Sequence, residues 1–417
     1  MGIKDKAVSL LSEFYNTIEP SVDVVDLGKK TSWCVYIDGN FVSAYYDKTT
    51  LGAVVQYFFK INRVADNYTQ KGLESLILDR LITVFIEEPD KVRERIGDLS
   101  RELHDPMPEV MNVYMSIHGI SVSKREKIGE FEFIPAGDYA GIGIRCYNQQ
   151  SESYVKDQIW QNHDQVMVSV SACDTVKVRE KAYFKFQWLE NAARLFVDSD
   201  FYDIGITSFN FSHVENSLVT DVKGKYKGSS SGLKGSLHPL PFAEIFKTGN
   251  HLCRVVNTLG RGIDELTELQ QRVHHAVYLG GLSVRETVPE VSYFLAVSAM
   301  EALFQKETDK YVNPSIAQQI VEAYCYLVAD NANRRNVFES MRPFYGKRSA
   351  FAHGGKKSVS NDEAQMVRAY LRAAVLKFID DPVLSSLKSI DEVIALICDK
   401  KFGVKGSNRQ GKGSIIQ

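Results

Sequence analysis

Apolar positions follow two regimes along the chain. Over residues 3–19, Val8, Leu11 and Tyr15 recur at helical spacing with Leu10 and Phe14 beside them, and Pro20 stops the run. Residues 33–46 (WCVYIDGNFVSAYY) read as two strands around Asp38-Gly39-Asn40, a hairpin signal. Helical patterning returns over 50–64 and 70–88. Pro89 ends the second stretch, Asp90 can cap a helix over 91–104, and Asp105-Pro106 closes that helix. From residue 107 to 225 the apolar runs shorten to strand-sized pieces: FEFIP (131–135), GIGIRCY (141–147), VMVSVSA (166–172) and YDIGITSF (202–209). One helix is predicted among them near 188–197. The run GKYKGSSSGLKGS (224–236) is the clearest break in composition and reads as a loop or linker.

Beyond residue 243 the strand-sized pieces vanish. Residues 262–280 and 287–305 are long and apolar. Asn313-Pro314 is a helix start, followed by Ile316, Ile320, Tyr324 and Leu327 at helical spacing. A further helix is predicted over 333–350, where Pro343 and Gly346 should kink it. Asn361 or Asp362 caps another, with Val367, Tyr370, Leu371, Ala374, Val375 and Phe378 on one face, and 388–400 makes a last short helix. The pattern predicts an α+β chain. Residues 1–240 form a mixed domain with antiparallel-type strands, divisible into a helical part (1–105) and a strand-rich part (106–225). Residues 241–400 form an all-α bundle, and 401–417 a polar, glycine-rich flexible tail.

Composition narrows the function without naming it. A chain of 417 residues is too long for one ordinary core. The formal net charge is −2, so any surface that attracts nucleic acid must be local. Cys34, Cys146, Cys173, Cys253, Cys325 and Cys398 form no CxxC pair and no Cys/His zinc pattern, which predicts reduced thiols, a cytoplasmic protein and no metal or cofactor site. The N-terminus lacks the apolar core of a signal peptide, and Lys6 breaks the myristoylation pattern. No run of about 18 apolar residues predicts a membrane span. The segment 406–413 is nearly a phosphate-binding P-loop, but Gly413 replaces the Ser or Thr that would hold magnesium. His274 and His275 are adjacent on a predicted helix, face different directions, and read as surface or interface residues.

The segment from Tyr345 to Gly355 (YGKRSAFAHGG) carries the candidate chemistry. Arg348 and His353 stand with four residues between them, just before two glycines that can end a helix. Chance alone supplies about 0.4 such pairs in a chain of this composition, so the surroundings must carry the weight. Upstream lies an apolar helix, SYFLAVSAMEALF (292–304), and a helix of similar length follows. Together these features resemble the Apea-like branch of the HEPN ribonucleases, over residues 262–380 only. Many HEPN members place Asn, Asp or His after the arginine, where this chain has Ser349.

That resemblance implies metal-independent cleavage of RNA (tRNA included) by 2′-hydroxyl attack, in anti-phage defence or toxin-like growth arrest. It implies Arg348 and His353 as the catalytic pair and Glu301 as an acidic partner that orients Arg348. The site would be shared across a homodimer. The side-chain chemistry is compatible. Histidine moves protons near neutral pH, and arginine offers a permanently charged fork to phosphate. Lys347, Lys356 and Lys357 flank the pair and are candidate RNA-binding residues. Residues 1–240 show no chemistry of their own and read as a sensor or regulator answering to a phage or cellular trigger. The competing reading is a non-catalytic dimerisation or binding module with the same N-terminal sensor.

Overall fold

The computed structural model describes residues 3–20, 31–37, 40–138, 164–198, 204–206, 214–220, 226–233, 239–247, 249–306, 316–352 and 358–403. Helix α1 (Ile3–Tyr15) precedes strands β1 (Glu19–Pro20), β2 (Thr31–Ile37) and β3 (Asn40–Tyr46). Helices α2 (Lys48–Phe59), α3 (Asn62–Asn67), α4 (Gln70–Glu87) and α5 (Val92–His104) follow. Short strands come next: β4 (Glu109–Ser116), β5 (Ile120–Ser121), β6 (Glu126–Ile128), β7 (Phe131–Ile134) and β8 (Gln165–Ala172). Helix α6 (Thr175–Val197) separates these from β9 (Val214–Thr220), β10 (Tyr226–Leu233) and β11 (Leu240–Pro241). The remaining described elements are helical: α7 (Phe242–Ile245), α8 (His251–Leu259), α9 (Glu268–Arg285), α10 (Pro289–Phe304), α11 (Ile316–Leu327), α12 (Arg334–Ala352), α13 (Asn361–Asp380), α14 (Pro382–Ser386) and α15 (Ile390–Lys401). The chain is thus mixed α and β, with small antiparallel sheets in its N-terminal half and helices in its C-terminal part. Among the described residues no helix is long and apolar enough to cross a membrane.

The chain forms two compact units, Met1–Val113 with Val168–Phe184, and Tyr114–Met167 with Lys185–Gln417. The expected linear boundary near residue 240 does not coincide with them, because residues 114–167 and 185–240 group with the C-terminal helices.

In the first unit, α1, α2, α4 and α5 turn their apolar stripes onto one core that includes Leu11, Phe14, Val54, Phe58, Ile77, Leu81, Leu99 and Leu103. The hairpin β2–β3 pairs from Thr31↔Tyr46 to Ile37↔Asn40, as the turn signal at 38–40 predicts. One carboxylate starts two helices here. Asp174 Oδ1 accepts from the Val176 and Lys177 amides (2.7 and 2.8 Å) and so caps α6. Its Oδ2 accepts from Thr69 N at 2.6 Å, and Thr69 in turn caps α4 through the Gly72 amide at 2.9 Å.

In the second unit, β7 pairs antiparallel with β6 and with residues 165–167 of β8. Helices α9 and α10 form a hairpin joined by reciprocal buried bonds: Ser283 Oγ donates to Ser292 O, and Ser292 Oγ to Ser283 O, both at 2.7 Å. Glycine is required beside them. A Cβ on Gly281 would lie 2.1 Å from the Asn191 carbonyl oxygen, so α9 and α6 touch backbone to backbone. Asp198, just past α6, takes a left-handed φ of 37° and receives two arginines of α13. Arg368 Nε donates to its Oδ1 at 2.8 Å and Arg372 Nη1 to its Oδ2, while Arg368 Nη1 donates to Ser292 Oγ at 2.9 Å.

Four expectations change. The Gly/Ser-rich run read as a linker holds β10, which pairs with β9 over Leu233↔Val214 to Tyr226↔Thr220; backbone hydrogen bonding to the partner strand makes a strand of a sequence with poor strand propensity. Helix α6 begins at Thr175 rather than near 188, because Asp174 supplies a cap and Val178, Ala182, Phe186 and Leu189 continue its buried stripe through charged neighbours. Helix α13 is capped by Ser360 rather than by Asn361 or Asp362, and helix α12 continues through Pro343 and Gly346. Buried Met341 and the contacts of Phe344 hold that stretch in place against the one backbone bond that Pro343 cannot make. The strand 141–147, most of 202–209, the start at Asn313-Pro314 and the tail from 404 lie outside the described residues.

Candidate functional site

Helix α10 sets the frame. Pro289 occupies its first turn, and its apolar face buries Tyr293, Ala296, Val297, Met300 and Phe304. Glu301 lies on that same buried face, a charge among apolar neighbours. Tyr293 fixes α12 against α10: its hydroxyl donates to the Phe344 carbonyl at 3.0 Å, and its ring meets that of Phe344 edge-on at 6.2 Å. One helical turn beyond Phe344, Arg348 comes level with Glu301. Arg348 Nη2 donates to Glu301 Oε2 at 2.9 Å. The guanidinium carbon sits 4.9 Å from the centroid of the Phe294 ring, a cation–π contact.

The pair is asymmetric in its exposure: 23% of the Arg348 side chain is accessible, against 11% for Glu301. Glu301 Oε1 is buried with no hydrogen-bond partner among the described residues. Burial pushes the Glu301 carboxyl above the usual carboxylate range, and the adjacent Arg348 charge opposes this without cancelling it. The arrangement fixes a partly exposed guanidinium near the end of a helix.

The flanking residues part company. Lys347 ion-pairs with Glu363. Glu363 belongs to the capping box of α13: its amide donates to Ser360 Oγ at 3.2 Å, and its Oε2 accepts from Ser360 N at 3.1 Å. Lys347, followed by that Ser360 bond, holds the Glu363 carboxyl below its ordinary value. Lys347 therefore ties α12 to the start of α13. Ser349 is half-buried on α12. His353, Lys356 and Lys357 lie outside the described residues; α12 closes at Ala352, immediately before His353. The chain is described again from Ser358, and the Val359 amide meets Glu290 Oε1 at 3.5 Å near the start of α10.

Sequence reasoning paired Glu301 with Arg348, and the two side chains meet. It missed Phe294, Phe351 and Glu363. Phe351 stands one turn beyond Arg348, and its ring centroid is 5.9 Å from that of Phe294. The two histidines at 274 and 275 point apart. His274 stacks on Trp188 at 4.7 Å with the rings 5° from parallel, and burial drives its pKa down to about 4, helped by His275. His275 is exposed beside Tyr278. Among the described residues no group of three or more His, Cys, Asp or Glu side chains could hold a metal ion. No family model, curated protein or solved structure matches this chain.

Proposed function

We propose that the C-terminal helices form a HEPN-type, metal-independent endoribonuclease with RNA or tRNA as its substrate, in anti-phage defence or toxin-like growth arrest. The observation that carries this reading is the held guanidinium: Arg348 is oriented by Glu301 at 2.9 Å and by the Phe294 ring, at the end of the helix that leads into His353. A cation fixed before the reaction stabilises developing charge without reorganising.

In the proposed reaction the 2′-hydroxyl oxygen attacks the adjacent phosphorus as its proton leaves to a base. The phosphorus–O5′ bond breaks, and O5′ takes a proton from an acid. The products are a cyclic phosphate and a free 5′-hydroxyl. His353 serves in proton transfer and Arg348 balances the charge of the phosphorane, in a site assembled from two copies of the chain. Lys356 and Lys357 hold flanking phosphates. Lys347 can join them only by leaving Glu363. The N-terminal region serves as the sensor of a phage or cellular trigger, in the cytoplasm.

One observation favours the second reading, a non-catalytic HEPN dimerisation or binding module. Glu301 and Glu363 already answer the charges of Arg348 and Lys347, as they would in a purely structural joint. Arg348→Ala and His353→Ala, made separately, decide between the two. RNA cleavage and cell toxicity, measured with chelator present, should collapse in both variants. Equal behaviour of wild type and variants sinks the nuclease reading, and a strictly monomeric wild type sinks the shared site.

A further inference from the structure

We infer that Phe351 is a base-stacking residue: its ring, beside Phe294 and Arg348, receives a nucleobase of single-stranded RNA next to the phosphate that Arg348 holds. The inference rests on the ribonuclease reading and adds what recognises the substrate.

A partly exposed phenylalanine is ordinary by itself. Phe351 is 38% exposed, and what distinguishes it is its company. It lies three residues after Arg348, so the two side chains emerge from neighbouring turns on adjoining parts of the α12 surface. Its ring is tilted 50° to that of Phe294 at 5.9 Å, and Phe294 carries the Arg348 guanidinium at 4.9 Å. An aromatic face and a guanidinium therefore flank the same Phe294 ring. Of the five cations on α12, Arg335, Lys347 and Arg348 are ion-paired with Glu339, Glu363 and Glu301, which leaves Arg334 and Arg342 as its excess of positive charge, in a chain whose net charge is −2. That balance favours an anionic chain over an acidic or neutral protein surface. Stacking on an aromatic ring is tolerant of base identity, because every base has a π-face. The expected recognition is accordingly of unpaired RNA with little sequence preference at this position.

The test uses the full chain and a 2′-O-methyl RNA oligomer carrying 2-aminopurine, which has no 2′-hydroxyl to attack and is not cut. Binding is read by anisotropy and stacking by quenching of the 2-aminopurine fluorescence. Wild type and Phe351→Tyr should bind and quench. Phe351→Ala, with an unchanged melting profile, should bind at least about tenfold more weakly and lose the quenching, within the range that stacking on one ring supports. Unchanged affinity and quenching in Phe351→Ala overturns the inference, as does a wild type that fails to bind the oligomer. A Phe351→Ala chain that loses its dimer while binding and quenching persist overturns it too, and makes the ring part of an interface between copies. Failure of the nuclease reading is seen separately, as cleavage indifferent to Arg348→Ala and His353→Ala.

Discussion

Two arginine–carboxylate groups in the C-terminal helices use the same chemistry to different ends. At Asp198 both carboxylate oxygens are taken, one by Arg368 and one by Arg372, and the second arm of Arg368 reaches Ser292. Asp198 and Arg368 keep only 8% and 6% of their side chains exposed. At Glu301 one oxygen meets Arg348 while the other is buried without a hydrogen-bond partner among the described residues, and the arginine keeps nearly a quarter of its surface. The first group uses both carboxylate oxygens and joins α6, α10 and α13, with Arg372 keeping a quarter of its side chain exposed. The second is uneven, with a partly desolvated carboxylate behind a partly exposed cation. A buried ion pair with every acceptor used is a joint; one whose cation is held from behind is suited to an incoming anion.

Four variants test that contrast. Asp198→Ala should have the largest effect on the fold, since it strands two arginines; a loss of about 3–5 kcal/mol in denaturant unfolding is expected. A loss under about 1 kcal/mol would remove the distinction. Arg348→Ala should act on chemistry instead, lowering RNA cleavage by about 10²–10³-fold, the scale of one lost charge-stabilising donor. Its unfolding free energy should move far less than that of Asp198→Ala, because Glu301, already raised above the usual carboxylate range, can take up a proton when its partner is gone. A loss of stability as large as that of Asp198→Ala would make Arg348 a joint as well.

The third variant is a control outside both groups. His274 is lowered from 6.5 to about 4, so the unfolded chain binds a proton that the folded chain refuses. Its contribution to stability is present above pH 6.5 and is lost as the pH falls toward 4, for a total of about 3 kcal/mol. His274→Phe keeps a ring on Trp188 and should flatten the stability profile between pH 6.5 and 4 relative to wild type. An identical slope in both proteins would show that His274 does not titrate there. Lys347→Gln should matter least. Its pair with Glu363 is partly exposed, so a cost of about 0–1 kcal/mol, fading with added salt, is expected in thermal unfolding. A drop of tenfold or more in RNA affinity would instead return Lys347 to the phosphate-binding set.

Much of the helical framework was legible because periodicity and caps act locally. The start of α13 falls where it was expected, although Ser360 rather than Asn361 or Asp362 is its cap, and Val367, Leu371, Ala374 and Phe378 face inward as spaced. The pairing of Glu301 with Arg348 was expected only from resemblance, since the two are 47 residues apart and no local pattern joins them. Arg368 left a signal that was not used: it interrupts the buried stripe of α13, and a charge on an apolar face needs a partner. Its partner, Asp198, shows no sequence mark. The strand β10 was illegible for the opposite reason, because its conformation is decided by the facing strand rather than by its own glycines and serines.

The close approach of α9 also bears on descent. Beside the backbone clash at Gly281, a Cβ on Gly280 would lie 2.6 Å from Leu371 Cδ2, a side-chain methyl that would have to shift. Ser283, Ser292 and Arg368 are tied to the same spot. The backbone contact makes Gly281 the stricter of the two, so Gly281 with Ser283 in α9 and the inward arginine of α13 is the pattern by which more distant sequences of this fold should be sought.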